Sequence, residues 1–382
     1  MQIIRQADID KARRLIKANP VVALLGPRQC GKTTLSHQIV QQIKTEAHFF
    51  DCENPRDIQR LSDPLTALAD LKGIVVIDEV QRAPDIFPVL RVLADQAKQV
   101  KYLVLGSASP YLLRQSSETL AGRIGFMEMS GFHRENVPAD RIEKLWIRGG
   151  FPRSYLARGE RDSLQWRQDF IATFLERDIP NLGLQIPART LQRFWGMLAH
   201  YHGRLFNASE IGRSLGVSDH TARRYLDLLA ATFMIREVRP WFYNTKKRII
   251  KTPKIYFRDS GILHALLSVE NKKGLLAHPQ LGASWEGFAL EEIIKSLEIR
   301  EHQAYFWGIH NGAEVELVFE KNGHLYGMEV KYALAPSITS SIKTAIDELS
   351  LRHVWIIYPG KQEYPLSKDV TVIPMSKFAF KH

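Results

Sequence analysis

The segment Gly26-Pro27-Arg28-Gln29-Cys30-Gly31-Lys32-Thr33 satisfies the spacing G-x-x-x-x-G-K-[ST], and it stands between an apolar run, Val21–Leu25, and a helical pattern that begins at Thr34. A strand that delivers a glycine-bearing loop straight into a helix restricts the fold more than any other feature of this chain. Glycines at both ends let the backbone wrap around phosphate oxygens, and the helix N-terminus adds N–H donors and the positive end of its dipole. Gly26, Pro27, Arg28, Gln29, Cys30, Gly31, Lys32, Thr33 and Thr34 are therefore the expected nucleotide-binding set. Lys32 would reach the β and γ phosphates, and the Thr33 hydroxyl would ligate Mg²⁺, which prefers oxygen ligands and keeps several waters. ATP and Mg²⁺ are the cofactors this pattern implies.

The surrounding third of the chain repeats the same alternation. Val21–Leu25, His48–Asp51, Ile74–Asp78, Tyr102–Leu105 and Phe126–Met129 are short apolar runs, separated by segments long enough for helices. That predicts an α/β fold, a parallel sheet with helices on both faces. The run Gly73–Ile77 ends in two carboxylates, Asp78 and Glu79, at the strand edge where open α/β sheets bind ligands. Asp78 suits the outer shell of the Mg²⁺ ion, and Glu79 would position or deprotonate the attacking water. A second acid directly after the first separates hydrolytic additional-strand ATPases from most kinases and GTPases of the P-loop class.

Taken together, GPRQCGKTTL, IVVIDEVQ, YLVLGSAS, LAGR and RGGFP (Arg148–Pro152) resemble the prokaryotic predicted AAA+ superfamily ATPases, whose C-terminal half is a domain of unknown function. The resemblance continues through KIYFRDSGI, WEGFALEEI and MEVKYA and spans nearly the whole chain. It implies that Ser107, in Gly106-Ser107-Ala108-Ser109, acts as the polar sensor of the γ-phosphate or the water. It also implies that Arg123, just before the last strand, supplies an arginine finger to a neighbouring copy in a homo-oligomer. Arg148 is a second candidate for sensing the γ-phosphate.

Charge is where composition matters. The chain of 382 residues has a formal charge of +11, but residues 146–262 hold 20 basic and 10 acidic residues while the flanking thirds are nearly balanced. A localised excess is what a polyanion-binding surface requires. Within it, 207–226 reads as helix, tight turn, helix, with Asn207 and Ser218 as N-caps and Gly216 in the turn. Ile211, Leu215, Val217, Ala222, Leu226 and Leu229 would be buried between the helices. His220, Thr221, Arg223, Arg224 and Asp227 would then lie on the outer side of the second helix. The β-rich stretch Met234–Phe257 would form a hairpin whose tip carries Lys246, Lys247 and Arg248. The reading is a winged helix that contacts double-stranded DNA; a spacer, or a dock for an unknown protein partner, is the alternative.

The last third shows a helix near Trp285–Leu297, strands at Ala304–Phe306, Val315–Glu320 and Leu325–Val330, and a further αβ unit from Ser340 to Tyr358. Glu286 on the helix, Glu316 in one strand, and Glu329 with Lys331 in the next follow an order that resembles the restriction-endonuclease-like PD-(D/E)xK core, with Glu316 where that core normally has Asp. The fold class expected for the whole is thus multi-domain α/β. Residues 1–145 form the AAA+-type P-loop core, 146–202 a helical connection, 203–262 a winged helix and 263–382 a smaller restriction-endonuclease-like α/β domain. The expected function is Mg²⁺-dependent ATP hydrolysis coupled to DNA binding. The alternatives are an ATP-dependent nuclease or a nucleotide-gated adaptor in stress or defence signalling. Two cysteines, Cys30 and Cys52, make neither a disulfide framework nor, alone, a zinc site. The absence of a secretory or membrane-spanning apolar run places the expected location in the cytoplasm with no membrane partner.

Overall fold

A computed structural model of the chain describes residues 3–96, 100–107, 118–181, 186–241, 252–309 and 312–380. They form two compact units, one of residues 1–136 with 231–233 and one of 137–230 with 234–382.

The first unit is an α/β layer structure. Its strands are β1 (Val21–Leu25), β2 (Ala47–Asp51), β3 (Gly73–Asp78), β4 (Val100–Gly106) and β5 (Ile124–Glu128), ordered β2-β3-β4-β1-β5 with every pair parallel. All five residues of β1 are buried, as a central strand covered on both faces must be, whereas β2 and β5 alternate buried and exposed at the edges. Val75 and Ile77 of β3 pack with Val104, Leu90 and Leu93 in one continuous core. β4 stands between β1 and β3, so the ends of these three parallel strands lie side by side at one edge of the sheet.

The helix Gln6–Ala18 is tied to this sheet by Arg5. Its guanidinium donates to the Cys30, Ser130 and Gly131 carbonyls and to Asp8. Burial alone would raise the Asp8 carboxyl, but His133 and Arg5 beside it hold it well below the usual range.

The second unit is built on a mixed nine-stranded sheet. Adding β6 (Arg204–Leu205), β7 (Ile235–Pro240), β8 (Lys254–Phe257), β9 (Tyr305–Gly308), β10 (Glu314–Lys321), β11 (His324–Val330), β12 (His353–Tyr358), β13 (Tyr364–Ser367) and β14 (Val370–Pro374), the order is β13-β14-β12-β11-β10-β9-β7-β8-β6. The parallel pairing of β7 with β9, through Arg239↔Tyr305 and Pro240↔Phe306, joins the basic middle of the chain to its last third in one sheet. No helix among the described residues is long and apolar enough to cross a membrane.

Two motifs noted in the sequence meet inside this unit. In RGGFP, Gly149 takes φ +75°, and the Gly150 N–H donates to Asp259 of RDSGI at 2.7 Å. The other Asp259 oxygen caps the helix Ser260–Leu266 by accepting from Ile262 N at 2.9 Å. A Cβ added at Gly261 would lie 2.2 Å from the Arg148 carbonyl oxygen, a backbone atom that cannot step aside. Gly261→Ala is therefore expected to destabilise the protein by about 1–3 kcal/mol, read from its denaturant midpoint.

Candidate active site

The loop after β1 turns through Gln29 at φ 61° and Gly31 at φ 97° before the helix Lys32–Ile43 begins. Gly26 has no room for a side chain, since a Cβ there would lie 2.1 Å from the Met129 carbonyl oxygen. Lys32 is buried, and its ammonium donates to the Gly26 and Pro27 carbonyls at 3.1 and 3.0 Å. Thr33 and Thr34 are exposed on the first turn. Arg28 reaches Glu53 at 2.8 Å, and Arg82 reaches the same carboxylate at 3.1 Å, so three charges brace the rim. Both cysteines are buried. Burial pushes the Cys30 thiol up, and burial with Asp51 and Asp78 pushes Cys52 to about 12, so neither is a nucleophile.

The Thr33 hydroxyl donates to Asp78 Oδ2 at 2.5 Å, joining the loop after β1 to the end of β3 across the intervening β4. Asp78 Oδ1 accepts from the Glu79 N–H at 2.8 Å. The Thr33 hydroxyl on the phosphate loop and the Asp78 carboxylate at the end of β3 are the oxygen types that would suit a Mg²⁺ ion. Glu79 itself is left-handed, φ 51° and ψ 42°, a conformation that costs a non-glycine residue of order 1–3 kcal/mol. Its carboxylate Oε2 accepts from the Gln81 amide, and the same Nε2 donates to Ser107 Oγ at 3.0 Å. Gln81 is the residue that reading the sequence missed; a glutamine two places after the acid looks like an ordinary turn residue.

Arg123 stands apart from this group. It precedes β5, and its carbonyl accepts from Val21 N at the start of β1, so it lies at the opposite edge of the sheet from the loop after β1. Its guanidinium pairs with both oxygens of Asp95, at 2.6 and 3.0 Å. Arg123 thus lies away from the phosphate loop of its own chain, and the finger role expected of it concerns a neighbouring copy. Arg148 has partners within the second unit. It is buried in the second unit, bonded to Glu160 and to the Ala157 carbonyl, and is structural there.

In the second unit the helices Ala208–Leu215 and Asp219–Ala231 flank the turn at Gly216, φ 73°. Asn207 accepts from Glu210 N and Ser218 from Thr221 N, as N-caps. Ile211, Leu215, Ala222, Leu226 and Leu229 are buried, while Val217 is half-buried. His220 and Arg224 are exposed and Thr221 is half-buried. Arg223 lies on the outer side as expected, but its guanidinium is engaged. It is held by Asp227 at 2.8 Å and by Glu237 on β7 at 2.6 Å. Lys246, Lys247 and Arg248 lie outside the described residues.

The four residues of the nuclease-like pattern do come together. Lys331 lies 2.6 Å from Glu329 and 3.8 Å from Glu316, and Glu316 accepts from Val330 N. Tyr256, unanticipated from the sequence, donates to Glu286 at 2.7 Å, and Lys254 pairs with Glu314 at 3.1 Å. Burial, then Glu316, pushes Glu286 up to about 7, and the same two causes raise Glu329 well above its usual value. Lys331 and Lys254 offset part of the carboxylate charge here. Among the described residues no three His, Cys, Asp or Glu side chains are placed to hold a metal ion. No cleavage step is derived from this gathering.

Three stretches match family models: an AAA domain at residues 18–137, and two domains of unknown function, DUF8612 at 139–273 and DUF4143 at 281–378. The uncharacterized proteins Mb2031c of Mycobacterium bovis and Rv2008c of Mycobacterium tuberculosis are each 47% identical over 375 residues, covering 98% of this chain and 84% of theirs. The Walker-type ATPase paby2304 of Pyrococcus abyssi superposes with a TM-score of 0.50 at 16% identity, over 70% of this chain and 96% of that one. At that identity the likeness is one of fold, and the fold is that of a P-loop ATPase.

Proposed function

Because the chain belongs to the family of the mycobacterial proteins Mb2031c and Rv2008c, with an AAA domain at residues 18–137, we propose that it is an ATPase whose cycle acts on the second unit. The observation that carries the reading is the Thr33–Asp78 contact, which puts the Mg²⁺-ligand types beside Lys32 and within one residue of Glu79. Lys32 would exchange its loop carbonyls for β- and γ-phosphate oxygens. Bound Mg²⁺, held by Thr33 and Asp78, would supply positive charge to the triphosphate. Glu79 takes the proton of a water whose oxygen attacks the γ phosphorus, while the bond from that phosphorus to the bridging oxygen breaks and ADP leaves. Phosphate release from ATP by the purified chain, abolished by chelating Mg²⁺, is the test; no release above a buffer blank rejects the reading.

DNA is the proposed partner of the second unit. Support comes from the capped helix–turn–helix and the excess of ten positive charges over residues 146–262. The residues expected to reach phosphate are His220, Arg224 and Lys246 to Arg248, and Arg223 is left out because two carboxylates hold it. Replacing Arg224, Lys246, Lys247 and Arg248 together by Ala should weaken duplex binding. It should also reduce the slope of log affinity against log salt by about 1 for each phosphate that is no longer neutralised. Equal affinity of variant and parent from low to moderate salt rejects DNA contact and leaves the spacer or protein-docking role. In this reading 146–202 is a connection, 203–262 a winged helix and 263–382 a terminal domain, the last two sharing one sheet.

A further inference from the structure

We propose that Gln81 is a positioning residue for hydrolysis, drawing the Glu79 carboxylate over β4 toward the phosphate loop. The inference rests on the ATPase reading above and concerns the same site.

The first ground is the bridge itself. Gln81 Nε2 donates to Glu79 Oε2 and to Ser107 Oγ, so one amide links the acid at the end of β3 to the hydroxyl at the end of β4. In the sheet order β4 lies between β3 and β1, the strand that carries the phosphate loop. A carboxylate drawn toward Ser107 is therefore drawn from its own strand toward the phosphates.

The second ground is the backbone. Glu79 is left-handed and opens a 3-10 turn, Val80–Arg82, closed by Arg82 N donating to the Glu79 carbonyl at 3.0 Å. That turn brings the side chain two places on back beside the acid, and its strain is the kind that persists only where surrounding contacts hold it. Val80, between them, is fully buried in the core and pins the turn.

The third ground is a division of labour. Asp78 is already engaged by Thr33 and by the Glu79 N–H, so the two adjacent carboxylates have separate partners and do not compete for one position. Glutamine suits the second of these partnerships because its amide N–H donates a hydrogen bond but is not acidic enough to give its proton up to the base. A carboxylate at 81 would repel Glu79, and an aliphatic side chain would leave it to water.

Gln81 does not touch the reacting atoms; it acts through Glu79. Gln81→Leu is expected to lower kcat about 10- to 100-fold, the usual cost of a catalytic group displaced by an ångström, with KM and the affinity for a fluorescent ATP analogue near those of the parent. In a Glu79→Gln background the same substitution should cost almost nothing more in single-turnover hydrolysis, because the group it positions is gone. Gln81→Asn, which keeps the donor on a shorter arm, should recover part of the rate, and thermal unfolding of each variant controls for folding. A kcat unchanged or raised in Gln81→Leu, or a full additional loss in the Glu79→Gln background, overturns the assignment. If the parent releases no phosphate, the hydrolysis reading falls and this one with it; if the parent does and Gln81→Leu matches it, only this one falls.

Discussion

Glu79→Gln is expected to keep ATP bound and to lower phosphate release by roughly two to four orders of magnitude, the contribution a positioned general base makes. The amide preserves shape and can still meet the Gln81–Ser107 bridge, but it cannot accept the water's proton. Lys32→Ala should fail at the other step. Lys32 is buried within the loop and is the ammonium whose carbonyl partners lie within the phosphate cradle, so its loss should abolish saturable ATP binding at concentrations that fill Glu79→Gln. Equilibrium binding with a fluorescent ATP analogue separates the two variants, and phosphate release follows the chemistry. Turnover that survives in Lys32→Ala would remove the loop from the reaction. Turnover that survives in Glu79→Gln would give the base to another group, of which Glu53 and Asp51, near the same edge, are the first to replace.

What was legible before the structure divides along the range of the interactions. The central strands β1, β3 and β4 are unbroken apolar runs because both faces are covered, so composition alone marks them. The residues from Gly26 to Thr34 were legible because their geometry is built within one loop, and Asp78 with Glu79 because a single strand end presents both. Gln81 was not legible, since its meaning depends on Ser107 arriving on a strand that follows 26 residues later. Arg223 shows the same limit from the other side. Helical periodicity turns it outward correctly, but Glu237, the partner that anchors it, stands on β7. Arg148 ends the helix Ile142–Arg148, and its partners, Glu160 and two backbone carbonyls, lie 7 to 12 residues on, beyond the reach of a local pattern. In the helix Leu281–Ser296 nearly every side is covered, so periodicity does not sort its acids, and the structural role of Glu291 shows only in its partners on other elements.

Glu291→Ala is accordingly expected to be the most damaging single change in the second unit, costing about 3–5 kcal/mol, the usual penalty for stripping one partner from a buried ion pair. Glu291 is 2% exposed and accepts from both Arg236 Nε and Arg236 Nη2, the latter at 3.2 Å, in a two-point pair; Arg258 lies 3.9 Å away. Removing the carboxylate leaves two buried guanidinium groups, on β7 and just beyond β8, without their shared counter-charge. On a unit of this size the loss should lower the thermal midpoint by roughly 10 °C. Arg236→Met in the Glu291→Ala background should recover part of it, because one stranded charge is then gone; a further loss of full size would show that the pair is not coupled. The pH dependence has a definite sign. Burial would raise the Glu291 carboxyl, but Arg236 and then Arg258 outweigh it and hold it below the usual 4.5. The pair's contribution is thus complete above about pH 4.5 and is lost as pH falls through the lowered folded value. The stability gap between the parent and Glu291→Gln should stay constant from pH 8 to about pH 5 and narrow below it. A gap that widens with acid would assign the stabilising charge to another group.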